Sequence, residues 1–133
     1  YDNITFAPSI QKDAVSDLLG HTSLLYFSFQ KASRLRFGQS LNKLIDYMLS
    51  GKPIIASYTG FPSMINEADC GSFVPAEDLN ALRTEIERYA DMPAEERARI
   101  GGRGRDWILK NRRFEALAAE YLHHLGLEAA AAS

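Results

Sequence analysis

Short apolar runs alternate with helical patterns along the first part of the chain, and this alternation constrains the fold more than any other feature. The predicted strands lie at residues 3–6, 24–27, 53–56 and 71–74. Continuous apolar runs of this length are typical of parallel strands that are buried on both faces. The order βαβαβαβ predicts a parallel sheet with right-handed crossovers and helices on both faces. We therefore expect an α/β, Rossmann-like sheet of about four strands, followed by a helical C-terminal third.

The helices are predicted from apolar residues that recur with helical spacing. Residues 41–48 match the i, i+3, i+4, i+7 template, with Ser40 as a cap and with Gly51 and Pro53 as stop signals. Helices in the last third begin near Asp78 and Pro93 and carry a final apolar stripe over residues 114–125. The glycines at 101, 102 and 104 do not lie between a strand and a helix, so we predict that they weaken a helix or let it pack closely, rather than form a phosphate loop. Trp107 and Phe114 are assigned to the core.

Length and composition describe one ordinary globular domain. With 133 residues the chain has room for one domain, which we place at residues 1–127, and the alanine-rich residues 128–133 are expected to fray. A net charge of −2, from 15 basic and 17 acidic residues, gives no reason to expect a nucleic-acid partner. The one cysteine, Cys70, excludes an internal disulfide framework and is expected to be a buried structural thiol. No membrane-length apolar run or signal peptide is evident, which predicts a cytoplasmic protein.

The loop after the second predicted strand has an unusual charge pattern. No Asp or Glu occurs between Leu18 and Ile45, whereas four basic residues do: Lys31, Arg34, Arg36 and Lys43. These residues lead into a helix N-terminus, where unpaired N–H groups and the helix dipole favour anions. One interpretation is a phosphate or diphosphate site, and the alternative is a solvated basic loop.

Asp46 lies one turn into the same predicted helix. At 100° per residue, Asn42 and Asp46 lie about 40° apart on its polar flank. A carboxylate one turn below a phosphate site is placed to accept hydrogen bonds from ribose hydroxyls. The alternative is an exposed aspartate that the helix dipole favours near a helix start, and on the residues alone this alternative is preferred.

The segment FGQSLNKLIDYMLSGKPIIASYTGFPSMINEADCGSFVPAEDLNAL, residues 37–82, resembles a known family. It is similar to the C-terminal half of retaining GT-B glycosyltransferases of the glycosyltransferase family 4 type. The resemblance rests on Gly38, Asp46, the Tyr-Met pair at 47–48 and the Gly-Lys-Pro-Ile-Ile run at 51–55. The Ser-x-Asn-Lys-Leu form at 40–44 resembles the subgroup that acts on amino sugars in bacterial surface polysaccharides.

This resemblance implies a set of donor-binding residues. Asp46 would bind the ribose of the donor. The diphosphate would lie at the helix start formed by Ser40, Leu41, Asn42 and Lys43, with further phosphate contacts from Lys31, Arg34 and Arg36. The base would lie against Ala7, Pro8 and Ser9. Gly38 departs from the family pattern, because many members carry a glutamate there, and Asp46 is one methylene shorter than the usual glutamate.

The resemblance also implies the function of the complete protein. That protein would transfer a sugar from a nucleotide diphosphate sugar to a glycan or lipid-linked acceptor in polysaccharide or lipopolysaccharide biosynthesis, without a metal cofactor. The subgroup resemblance favours UDP as the nucleotide. The resemblance allows peripheral association with the inner face of the membrane. The acceptor domain and the basic donor clamp would precede Tyr1, so residues 1–133 alone should be inactive. Some of Phe114, Leu117, Tyr121 and Leu125 should then be exposed.

Two other classes stay open. The first is a sugar-nucleotide epimerase on a similar scaffold, which needs further catalytic residues that are not visible here. The second is a non-enzymatic, receiver-like signalling module. That class needs an acidic cluster at the end of the first strand, where this chain has Ala7, Pro8 and Ser9.

Overall fold

The chain folds as an α/β protein around a parallel sheet, in a computed structural model that describes residues 2–37, 42–60 and 63–127. The described residues form three strands in the order β1-β2-β3: β1 (Leu25–Ser28), β2 (Ile54–Ser57) and β3 (Gly71–Val74). Leu25 is paired with Ile54, and Ile54 with Gly71, so the strands start level with one another. The three corresponding predictions are confirmed, with β1 and β2 shifted by one residue.

Helices connect and cover these strands. They are α1 (Val15–Gly20), α2 (Asn42–Leu49), α3 (Met64–Ala68), α4 (Leu79–Asp91), α5 (Ala94–Asn111) and α6 (Phe114–His124), with 3-10 turns at Lys12–Ala14 and Ser33–Phe37. Helix α3 was not singled out from the sequence, although the Ser63 side chain accepts a hydrogen bond from the Ile65 N–H and so caps its start. No helix among the described residues is long and apolar enough to cross a membrane.

The core divides into two clusters because successive residues of β2 point to opposite faces of the sheet. Ile54 packs with Leu44 and Met48 of α2 and with Ile65 of α3. Ile55 packs on the other face with residues that include Val74, Tyr89 and Ile100. Helices α2 and α3 therefore cover one face and α4 covers the other, while α5 contributes Ile100 to one cluster and Ile108 to the other.

Two glycines of α5 permit its close approach to the core. A Cβ at Gly101 would lie 2.7 Å from the carbonyl carbon of Lys52, and a Cβ at Gly104 would lie 2.9 Å from the Sγ of Cys70. A Cβ at Gly102, in contrast, would meet no atom within 4 Å. The prediction that these glycines serve helix packing is confirmed at positions 101 and 104.

The predicted first strand is wrong. The segment at residues 3–6 has no regular structure, and the Phe6 side chain is 93% exposed. A strand needs a hydrogen-bonded neighbour for its backbone. The described sheet consists of β1, β2 and β3, and none of these strands pairs with residues 3–6. The described sheet consequently has three strands rather than about four.

The C-terminal helix α6 lies largely on the surface. None of its residues is buried, and Phe114, Tyr121 and Leu125 are each more than half exposed. The expectation that some of this stripe is uncovered is confirmed, whereas the assignment of Phe114 to the core is wrong. Trp107 is half-buried and packs against the cluster that contains Leu44 and Met48 of α2, which we call the α2-side cluster. The predicted tail at 128–133 lies outside the described residues.

Candidate functional site

The carboxyl ends of the three parallel strands lie at one edge of the sheet, where open α/β sheets bind their ligands. Ser28, Ser57 and Val74 end the strands there. The segments that follow β1 and β3 meet at this edge, because the backbone N–H of Lys31 donates a hydrogen bond of 3.2 Å to the Glu77 carboxylate. The edge is therefore built by several segments that are far apart in sequence.

The loop before α2 is anchored on the sheet. Leu35 is buried, and its carbonyl oxygen accepts a 2.9 Å hydrogen bond from the Tyr58 hydroxyl. The Tyr58 ring packs between those of Phe29 and Phe73, with centroid distances of 6.0 and 5.8 Å. These contacts fix the path of the chain from β1 toward the start of α2.

Helix α2 begins with two of the predicted diphosphate residues, Asn42 and Lys43, and both side chains are exposed. The Nζ of Lys43 lies 5.5 Å from the centroid of the Phe27 ring, beside the end of β1. Lys43 forms no ion pair with another described residue. Its charge therefore adds to the positive end of the α2 dipole.

Asp46 lies one turn further along α2 and lines a cleft of about 230 Å³ between α1 and α2. Lys12, Ser16 and Ser50 line the same cleft. Within the described part of the chain, the Asp46 carboxylate has no ion-pair partner, so it is free to accept hydrogen bonds from a ligand. Sequence reasoning missed the three other polar residues, because only the packing of α1 against α2 brings them to Asp46.

The remaining predicted residues are not gathered at this cleft by the contacts of the described residues. The Arg36 guanidinium lies 4.5 Å from the centroid of the Phe37 ring, its own neighbour in sequence. Ala7, Pro8 and Ser9 are exposed, and they make no hydrogen bond to another described residue. Ser40, Leu41 and the Arg34 side chain lie outside the described part of the structure.

Two other features bear on chemistry. Cys70 is fully buried, as predicted, and this burial raises the pKa of its thiol to about 11, which disfavours the reactive thiolate form. The residues described here contain no group of three or more His, Cys, Asp or Glu side chains that could hold a metal ion.

Comparisons of the chain with models of protein families, with curated proteins and with solved structures find no match.

Proposed function

We propose that this chain is the donor-binding part of a retaining GT-B glycosyltransferase, which transfers a sugar from a nucleotide diphosphate sugar to a glycan or lipid-linked acceptor. The observation that carries the proposal is that Lys43 and Asp46 lie one turn apart on α2. Lys43 lies at the start of α2, beside the carboxyl end of β1, and the Asp46 carboxylate, which has no ion-pair partner among the described residues, lies one turn further along in the cleft between α1 and α2. UDP is the nucleotide that the sequence resemblance favours.

In this proposal the start of α2 binds the diphosphate of the donor, and Asp46, one turn further along, binds its ribose. The first N–H groups of the helix and the Lys43 ammonium bind the diphosphate and stabilise its charge as it leaves, which lowers the barrier electrostatically. Asp46 accepts hydrogen bonds from the ribose hydroxyls and so fixes the position of the nucleotide. Many family members have a second carboxylate at the position of Gly38, and this chain has none there.

Titration with UDP and with uridine tests the proposal on α2. Asp46→Asn keeps the shape but loses the charge, and a hydrogen bond to a charged group contributes roughly 1.5–3 kcal/mol. We expect a loss of about ten- to a hundredfold in affinity for both ligands, at ~1.4 kcal/mol per decade. Lys43→Ala should weaken UDP more than uridine, because uridine has no phosphate. Calorimetry or amide chemical shifts measure both affinities.

The matched control is Asp106→Asn, which changes an exposed aspartate on α5 and should leave both affinities unchanged. If Asp46→Asn remained folded and bound UDP as well as the unchanged chain does, the ribose role would be wrong. The proposal further expects no sugar transfer by residues 1–133 alone, so turnover of any nucleotide sugar by this chain would contradict it.

A further inference from the structure

A second cavity opens on the face of the sheet opposite α2. It has a volume of about 180 Å³ and lies between β1 and the start of α4, and we call it the β1–α4 cavity. Its lining includes Tyr26, Ser28, Gln30, Ser57, Glu77 and Leu82. At ~30 Å³ for each water molecule, this volume holds about six waters.

Several hydrogen-bonding groups of the cavity face solvent. The side chains of Tyr26, Ser28 and Gln30 are exposed, and they have no hydrogen-bond partner among the described residues. The Ser57 hydroxyl donates to the Pro75 carbonyl at 3.4 Å and keeps its own lone pairs as acceptors. Hydroxyl and amide groups both donate and accept, so this set matches the hydroxyl groups of a polyol.

Glu77 adds a carboxylate at the rim, and its backbone is strained. Its φ of 69° lies in the left-handed region, which non-glycine residues rarely adopt and which is often kept where function requires it. Its Oε1 accepts a hydrogen bond from the Lys31 N–H, which ties the two sides of the cavity together. The other carboxylate oxygen has no partner among the described residues.

The charge and the apolar lining narrow the class of ligand. Glu77 and Asp78 are acidic, so they repel a phosphate or another carboxylate. The Tyr26 ring and the Leu82 side chain offer an apolar surface for the carbon face of a sugar ring. This combination differs from the start of α2, where Lys43 favours an anion.

From this geometry we infer that the β1–α4 cavity binds one neutral sugar residue, a hexose or an N-acetylhexosamine. The Glu77 carboxylate, the Gln30 amide and the Ser28 hydroxyl bind its hydroxyl groups, and Tyr26 contacts its apolar face. The inference goes beyond the proposed transfer reaction and does not depend on it, because none of these residues lines the cleft between α1 and α2 that contains Asp46.

Amide chemical shifts of the 133-residue chain test this site. The probes are methyl α-glucopyranoside and its N-acetylglucosamine counterpart, with glycerol as a polyol that lacks a ring. We expect saturable shifts for the glycosides at Ser28, Gln30 and Lys31, with Kd in the millimolar range. Glu77→Gln should weaken binding about tenfold and Gln30→Ala about fivefold.

The control is Gln11→Ala, which removes an exposed amide far from this cavity in sequence and should leave the affinity unchanged. Gln30→Ala guards against a structural effect of Glu77→Gln, since the Gln30 side chain bonds no other described residue. The inference is overturned by shifts that do not saturate, by equal binding of glycerol, or by unchanged affinity in the folded Gln30→Ala chain. Sugar binding at the Asp46 cleft instead would also overturn it, whereas the proposed function is judged by UDP binding there.

Discussion

Strand β2 and the two ends of the described chain all carry large apolar side chains, yet these side chains are buried in β2 and exposed at the ends. Ile54 and Ile55 are fully buried, whereas Phe6 and Phe114 are 93% and 89% exposed. The difference lies in the partners that each segment finds. An apolar pattern indicates that a segment can be buried. Whether the segment is buried depends on a complementary neighbour in the fold.

The neighbours of β2 surround it on all sides. It is hydrogen-bonded to β1 and β3, and helices cover both of its faces. Within the part of the chain that the structure describes, the segment at 3–6 has no strand beside it, and α6 packs chiefly on α5 and buries no residue completely. Burial of an apolar side chain contributes roughly 1.5–3 kcal/mol relative to exposure, so stability should come from the centre.

Truncation of one large side chain in each region tests this comparison most directly. Ile65→Ala leaves a cavity in the α2-side cluster and should lower the free energy of unfolding by about 2–5 kcal/mol. Phe6→Ala and Phe114→Ala remove side chains that are already in solvent, so each should cost less than about 0.5 kcal/mol. Urea denaturation of the three variants measures the difference. A cost at Phe6 or Phe114 close to that of Ile65 would show that the ends are packed.

The same contrast explains how much of the fold could be predicted. The runs at 24–27, 53–56 and 71–74 predicted strands correctly because each contains residues that pair within this sheet. The run at 3–6 has a similar pattern, but the pairing of a strand depends on tertiary neighbours that a local pattern does not encode. Phe114 was assigned to the core for the same reason, because size and hydrophobicity do not specify a partner.

Helix α5 offers a sharper test, because two of its adjacent glycines have different surroundings. Gly101→Ala forces a Cβ against the backbone of Gly51 and Lys52, and overpacking of this kind should cost about 1–3 kcal/mol. Gly102→Ala is the matched control, since its Cβ enters open space and alanine favours a helix by roughly 0.5–1 kcal/mol. Thermal and urea unfolding measure both changes. Equal effects at the two positions would mean that α5 does not approach the turn before β2 so closely.

The candidate site was predicted less completely than the core. The sequence placed Asn42, Lys43 and Asp46 on one helix correctly, because helical spacing is local information. It did not predict Lys12, Ser16 and Ser50 beside Asp46, nor Glu77 beside the loop that follows β1, since these arrangements require the packing of distant segments. Ligand sites at a sheet edge combine several loops, so spacing along one element identifies only part of them.

An ion pair between Glu85 and Arg88 on α4 is intermediate in exposure between the buried centre and the exposed ends. The Arg88 Nη2 lies 2.6 Å from the Glu85 Oε1, and the same guanidinium donates to the Ser72 hydroxyl of β3. The Glu85 side chain is 18% exposed and that of Arg88 is 47% exposed. The hydrogen bond from Arg88 is the main cause that holds the pKa of Glu85 below its usual range. This pair therefore stabilises the fold only while Glu85 is ionised.

Glu85→Gln should have the smallest effect of the three tests, about 0.2–1 kcal/mol at neutral pH, because solvent screens a partly exposed pair. Since folding lowers the pKa of Glu85, its contribution is complete above the unfolded value of ~4.3 and is lost as the pH falls through the lower folded value. Urea unfolding at neutral and acidic pH should show the cost of Glu85→Gln disappearing in acid. Glu87→Gln is the control: its pair with Arg83 is more exposed, so the cost should be smaller at neutral pH. A cost of Glu85→Gln that persisted in acid would mean that packing of this side chain, rather than its charge, joins α4 to β3.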